Sequence, residues 1–343
     1  MNPIKRLFTR KALIRSLQVF VGIAVVYLGI ALALIYLPSP EPFAATAGVA
    51  APADAEAADA AQDLVATPGV EALTIVARDG ETIAARRYSA DAETSIILMH
   101  GIANSTAAFE YAALMLREGT GAEVITPDLR GHGQSGGTRF DVDYIGQYED
   151  DLEDIVELIK RESPNNRLII AGHSMGGGVA MRYALKEDAP VPDAYLLFAP
   201  NFGEGPTQKA GEDSGDTSAF VHFDLRRMIG IIMLNSVGIH AVDDLPILYF
   251  NTPGQRMDYS YRAVMSAQPI RPDTSDVALR AVTSPLLVIV GGEDEVFEVS
   301  QFEAFVSEHS DGKTVIVPGL SHDGVVNDPA TFAVVAEWYE TLH

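Results

Sequence analysis

Residues 168–178 read Leu-Ile-Ile-Ala-Gly-His-Ser-Met-Gly-Gly-Gly, and no other stretch restricts the chain as much. An apolar, β-branched run from Leu168 to Ala171 breaks at Gly172-His173-Ser174-Met175-Gly176. It then passes into Val179-Ala180-Met181-Arg182-Tyr183-Ala184-Leu185, whose apolar residues have helical spacing. The implied shape is strand, sharp turn, helix. A serine at such a turn takes a strained backbone conformation, and flanking glycines let neighbouring segments approach where a Cβ would clash. Its hydroxyl points away from the sheet, and the positive end of the next helix lies just behind it, a setting suited to developing negative charge. These are the requirements of a nucleophile elbow. A chain with 29 glycines can also match Gly-x-Ser-x-Gly by chance, so a tightly packed structural turn stays open until the other motifs are considered.

The chain has 343 residues, 48% of them hydrophobic, enough for one large α/β domain with an insertion or for two ordinary domains. A net charge of −23 argues against a nucleic-acid partner, because phosphate-backbone affinity comes from clustered Lys and Arg. With no cysteine there is no disulfide, thiolate catalysis, Cys-ligated metal or lipobox anchor. The eight histidines lack the i, i+4 pairing and carboxylate context of a zinc site, so neither a metal nor a cofactor is expected.

Leu17 to Leu37 is a run of about 21 residues without a charge, long enough to cross a hydrocarbon core as a helix. Lys5, Arg6, Arg10, Lys11 and Arg15 precede it. The positive-inside rule therefore keeps residues 1–16 in the cytoplasm and sends everything after Pro38 outside. This reading gives a single-pass inner-membrane protein with an extracytoplasmic domain. The alternative is a cleaved secretory signal, with Ala44-Ala45-Thr46-Ala47 as the processing site. Residues 38–68, rich in Ala, Pro, Asp and Glu, lack the large apolar side chains that repay chain ordering and read as a flexible tether.

Residues 69–343 then alternate strand and helix. Val70–Ala77 and Glu81–Tyr88 flank Asp79-Gly80 as an antiparallel hairpin. Strands at 95–99, 122–126, 168–171, 194–199, 285–290 and 314–317 are separated by helical patterns at 107–118, 144–160 and 179–185, and 330–342 closes the chain as a helix. Such alternation implies a mostly parallel sheet with right-handed crossovers. About 85 residues between the strands at 194 and 285 are too many for a connection, so about 201–284 forms an inserted cap. Within it 203–218 reads as flexible and Phe220–Val237 as an apolar helix interrupted by Arg226 and Arg227.

Five motifs occur in order: His100-Gly101, Asp128-Leu129-Arg130-Gly131-His132-Gly133, Gly172-His173-Ser174-Met175-Gly176, Gly292-Glu293-Asp294 and Ser321-His322. Together they resemble the α/β-hydrolase superfamily, most closely its monoacylglycerol lipase, lysophospholipase and serine aminopeptidase branch, over roughly residues 70–343. The fold implied is an α/β-hydrolase sheet flanked by helices, with an inserted cap, behind one N-terminal transmembrane helix. The resemblance also implies a nucleophile, acid and histidine in that chain order, which Ser174, Asp294 and His322 obey. Ser174 would attack an acyl carbon, His322 would carry the proton, and Asp294 would orient the imidazole. Asp323 is the other acid near His322. The backbone N–H groups of Met175 and Ile102 are the implied oxyanion donors. His100, His132, Asp128 and Arg130 are implied supports of their loops.

Serine at the elbow points to acyl transfer through a covalent intermediate, and to carboxylic esters first. His173, beside the serine, and Phe220, Met228 and Ile232 on the apolar cap segment are candidate substrate contacts; ordinary cap packing explains the latter equally well. A membrane tether favours a lipid-like substrate such as a monoacylglycerol or lysophospholipid. Amide or peptide cleavage, C–C bond hydrolysis, and a tethered binding protein without turnover remain as alternatives.

Overall fold

The computed structural model describes residues 10–38, 67–209, 221–252, 255–269 and 272–342. Most of the expected linker and part of the basic N-terminus lie outside the described residues.

A first hairpin pairs β1 (Val70–Val76) with β2 (Thr82–Tyr88) antiparallel, as the Asp79-Gly80 turn predicts. The chain then alternates β3 (Thr94–Met99), α2 (Glu110–Thr120), β4 (Glu123–Pro127), α3 (Gln147–Glu162), β5 (Arg167–His173), α4 (Met175–Tyr183) and β6 (Ala194–Phe198). After the cap come α7 (Pro272–Ala281), β10 (Leu286–Gly291), α8 (Phe302–His309), β11 (Lys313–Val317) and α9 (Pro329–Glu340). The sheet order is β1-β2-β4-β3-β5-β6-β10-β11, parallel from β4 onward. β3, β6 and β10 are buried along their whole length and β5 is buried after Arg167, which is why their sequences run apolar without alternating. α2 packs with α9, while α3, α4, α7 and α8 pack on one another in series, giving two helical layers over the sheet.

From β3 the chain moves to β4 on one side and then crosses to β5 on the other. The loops after β3 and β5 therefore diverge at a topological switch point, where open α/β sheets place their sites.

The cap differs from the sequence reading in two respects. Phe220–Val237 was expected to be one helix. Instead β7 (Val221–Phe223) pairs antiparallel with β8 (Pro246–Thr252), and only then does α5 (Leu225–Asn235) begin. The cause is Asp224: its carboxylate accepts the Arg227 N–H at 2.9 Å and caps α5 at that point. β9 (Gln255–Ser260) completes a three-stranded antiparallel sheet in the cap, followed by α6 (Tyr261–Ser266).

The apolar N-terminal run is the helix α1 (Arg10–Tyr36), longer than the apolar stretch because its basic preface is also helical. It packs against α5, where Ala31 and Ile35 are buried. By length and composition α1 can cross a membrane, and a signal sequence passes the same test.

Candidate active site

Ser174 sits between β5 and α4 with φ +51° and ψ −113°, a left-handed conformation unusual for a side chain larger than glycine. Its backbone is held on both sides: its N–H donates to the Phe198 carbonyl at 3.0 Å, and its carbonyl accepts from Asn201 at 2.9 Å and Gly178 at 3.1 Å. The glycines permit this turn. A Cβ on Gly172 would collide with the Gly176 backbone, and one on Gly176 would lie 2.5 Å from the Met99 carbonyl oxygen. α4 begins at Met175, so its free N–H groups face the serine.

The other two predicted residues come from the ends of later strands. Asp294 follows β10, and His322 follows β11; His322 Nδ1 lies 2.8 Å from Asp294 Oδ2. The second carboxylate oxygen accepts the N–H groups of Val296 and Phe297, each at 2.8 Å. Burial works to raise the Asp294 pKa, but the hydrogen bond and charge of His322 and these two amides hold it below the usual carboxylate range. Lys209 donates to the Asp294 carbonyl at 3.0 Å, and the His322 N–H donates to Glu295 at 3.0 Å. Asp323, the alternative acid, has a side chain 70% exposed and lies 3.9 Å from His173 instead of pairing with His322.

His173 is buried, and its Nε2–H donates to the His322 carbonyl at 3.0 Å. Burial and the adjacent His322 lower its pKa to about 3, so it stays neutral. It braces the His322 loop from behind. His173, His322 and Asp323 have ligand atoms within 4.8 Å of one another, but a metal ion there would compete for the His322 ring and for a nitrogen already committed to a carbonyl.

The loop after β3 carries Ile102 and lies against the serine: a Cβ on Gly101 would be 3.3 Å from Ser174 Cβ. His100 fixes this loop, its Nε2 accepting the Leu129 N–H at 3.0 Å while Nδ1–H donates to the Gly101 carbonyl at 2.7 Å. Asp128 accepts the Thr106 N–H at 2.6 Å and the Gln134 N–H at 2.8 Å, and Arg130 forks onto Asp151 at 2.6 and 2.9 Å. These residues support loops, as the motif reading implied.

Tyr259 was not singled out from the sequence. Its hydroxyl, on β9 of the cap, accepts the Ala103 N–H at 2.8 Å and donates to His132 Nε2 at 2.9 Å, while His132 Nδ1–H donates to the Arg130 carbonyl at 2.9 Å. Burial, then repulsion from His100, lowers the His132 pKa to about 3 and keeps Nε2 free to accept. Ala103 has φ +59°, so a cap side chain holds a strained residue next to Ile102. No sequence motif marks a tyrosine for this task, and the pairing spans 156 residues.

Of the predicted substrate contacts, Phe220 lies outside the described residues. Met228 is partly buried against the core, and Ile232 is exposed on α5, whose packing partners are α1 and β8.

Comparisons with known proteins agree with this architecture. The family described as serine aminopeptidase, S33 matches residues 90–229. A monoacylglycerol lipase of Mycolicibacterium smegmatis is 26% identical over 243 residues, covering 68% of this chain and 82% of that protein. Among solved structures, a thermophilic esterase from Thermogutta terrifontis superposes with a TM-score of 0.53 at 20% identity, covering 80% of this chain and 99% of its own. An esterase of Pyrococcus furiosus gives 0.53 at 16% identity, covering 79% and 90% respectively.

Proposed function

We propose that this chain, which has the α/β-hydrolase fold and resembles the monoacylglycerol lipase branch of that superfamily, cleaves carboxylic esters through an acyl-enzyme on Ser174. One observation carries the reading: a serine in strained left-handed geometry at a strand-to-helix turn, in a chain whose later strand ends bring His322 and Asp294 to 2.8 Å.

In this mechanism Ser174 Oγ attacks the acyl carbon as His322 Nε2 takes its proton. The tetrahedral oxyanion is met by the N–H groups of Met175 and Ile102, each worth about 10²- to 10³-fold in rate. His322 returns the proton to the leaving alcohol, and water repeats the sequence to release the acid. Asp294, held ionised, keeps the imidazole proton on Nδ1 and stabilises the imidazolium.

The substrate we propose is lipid-like, a monoacylglycerol or lysophospholipid. Two observations support it: the relation to a monoacylglycerol lipase and the apolar helix α1, which we read as a membrane anchor with the enzyme on the extracytoplasmic side. Hydrolysis of short- and long-chain p-nitrophenyl esters, a monoacylglycerol, a lysophospholipid and aminoacyl anilides by the full-length protein tests this. Faster turnover of long-chain esters, lost in Ser174→Ala, is the expected result. Turnover confined to the anilides overturns the ester assignment in favour of a peptidase.

A further inference from the structure

Tyr27 lies within the apolar run of α1, where a hydroxyl in hydrocarbon needs a partner from protein. α5 supplies one. The Tyr27 hydroxyl donates to the Met233 carbonyl at 3.1 Å and lies 2.9 Å from Ser236 Oγ. Further along, Ala31 and Ile35 are buried against α5, and Gly230 lets the backbones close until a Cβ there would be 2.7 Å from the Ala31 carbonyl oxygen. Contact through a small residue is how helices associate in lipid, which offers no hydrophobic drive of its own. At the far end Arg226 donates to the carbonyls of Leu37 at 2.7 Å and Pro38 at 3.3 Å, placing a cation on the C-terminus of α1. The two helices are antiparallel, with α5 running from the end of α1 back toward its middle.

A neighbouring flank of α5, turned away from its buried Ile231 and Leu234, is apolar and exposed. Leu225, Ile229 and Ile232 repeat at i, i+4 and i+7 with 54%, 43% and 42% exposure, and Val237 and Ile239 extend the patch. On α1, Leu32 and Tyr36 are also exposed, within a helix long and apolar enough to cross a membrane.

We propose that α1 and α5 enter the membrane as one unit, with the exposed stripe of α5 in the acyl-chain region of the outer leaflet. The inference rests on reading α1 as the anchor. About 20 residues span the hydrocarbon, and the uncharged run begins at Leu17, after Arg15, so its outer edge falls near Tyr36. The α1–α5 contact runs from Tyr27 to Pro38 and meets that edge: Arg226 stands in the headgroup layer, and Ser236, level with Tyr27, lies about 14 Å below it at 1.5 Å per residue. That is deeper than the roughly 5–10 Å reached by helices that only lie in the interface, as expected for a helix carried by a transmembrane partner. The cap is thus a lipid-bound element, and an acyl ester reaches it from the bilayer instead of from water.

Because the chain has no cysteine, single-cysteine labelling of the full-length protein tests this directly. Bimane on Ile232→Cys, Val25→Cys and Glu308→Cys is read in phosphatidylcholine vesicles carrying acyl-chain bromine, and separately with aqueous iodide. Val25 reports the anchor, and Glu308, exposed on α8, reports the aqueous side. The expected result is at least twofold quenching of the Ile232 and Val25 labels by brominated lipid, with only Glu308 quenched by iodide. Quenching of Ile232 by iodide alone, with Val25 still quenched by lipid, overturns the cap inference and leaves the anchor standing. Loss of lipid quenching at both sites removes the anchor and the inference with it. Concentration-dependent excimer emission from pyrene at Ile232, without lipid quenching, assigns the stripe to a second copy and also overturns the proposal.

Discussion

Asp294 uses both carboxylate oxygens, one for His322 and one for the amides of Val296 and Phe297, so its position is fixed before any substrate arrives. Asp294→Asn keeps the shape and removes the charge that selects the imidazole tautomer. We expect kcat to fall about 10⁴-fold with the thermal midpoint little changed. A fall of less than tenfold would shift the acid role elsewhere. Tyr259 makes a different kind of contribution, since its hydroxyl serves the backbone of Ala103, beside a donor proposed for the oxyanion. Tyr259→Phe leaves that N–H without its acceptor, and we expect kcat to fall about tenfold while KM barely moves. A rise in KM at constant kcat would make Tyr259 a substrate-binding residue only. As candidates, Ser174, Asp294 and His322 were legible because motif and chain order coincide. Tyr259 and Lys209 were not, because each acts through contacts that only the folded cap creates.

Among elements, the strand-to-helix turn at Ser174 has the least room for change. Gly176→Ala would push a methyl to 2.5 Å from the Met99 carbonyl, and we expect a loss of about 1–3 kcal/mol in urea unfolding together with most activity. An unchanged midpoint would show that β3 yields more easily than its burial suggests. The central strands could be read from sequence because buried parallel strands are continuous apolar runs. The cap sheet could not. In β9, Met257 and Tyr259 face inward while Arg256 is exposed, a period-2 pattern too short to stand out inside an 85-residue connection read as cap. β7 reads as helix in the sequence because Val221 and Phe223 adjoin a run that is apolar on most sides of a helix, and only Asp224, the cap of α5, marks the break. Gly230→Leu would wedge α1 from α5, and the Tyr27 hydroxyl would lose its partners.

Across the whole molecule, buried neutral histidines tie the fold to pH. The pKa values of His132 and His173 are lowered to about 3, chiefly by burial, whereas in the unfolded chain they titrate near 6.5. Between those values the unfolded state binds more protons, so stability falls as pH falls from 6.5 toward 3, at about 1.4 kcal/mol per pH unit for each residue. Asp294, whose pKa is depressed, adds stability above its unfolded value near 3.8 that is lost as pH drops further. Denaturant midpoints should decline from pH 7 to pH 5; a flat profile would contradict the burial of these rings. The apolar helix α1 was legible as an apolar run behind a basic cluster, but its packing against the cap was not, since Gly230 and Tyr27 are 203 positions apart and carry no shared pattern. The central claim, that Ser174 is an activated nucleophile, is tested most directly by intact-mass and peptide mass spectrometry after fluorophosphonate treatment of the full-length protein. The account predicts one adduct, on Ser174, absent from Ser174→Ala and slowed in Asp294→Asn. A folded wild-type protein that takes up no label, or takes it at another residue, would contradict it.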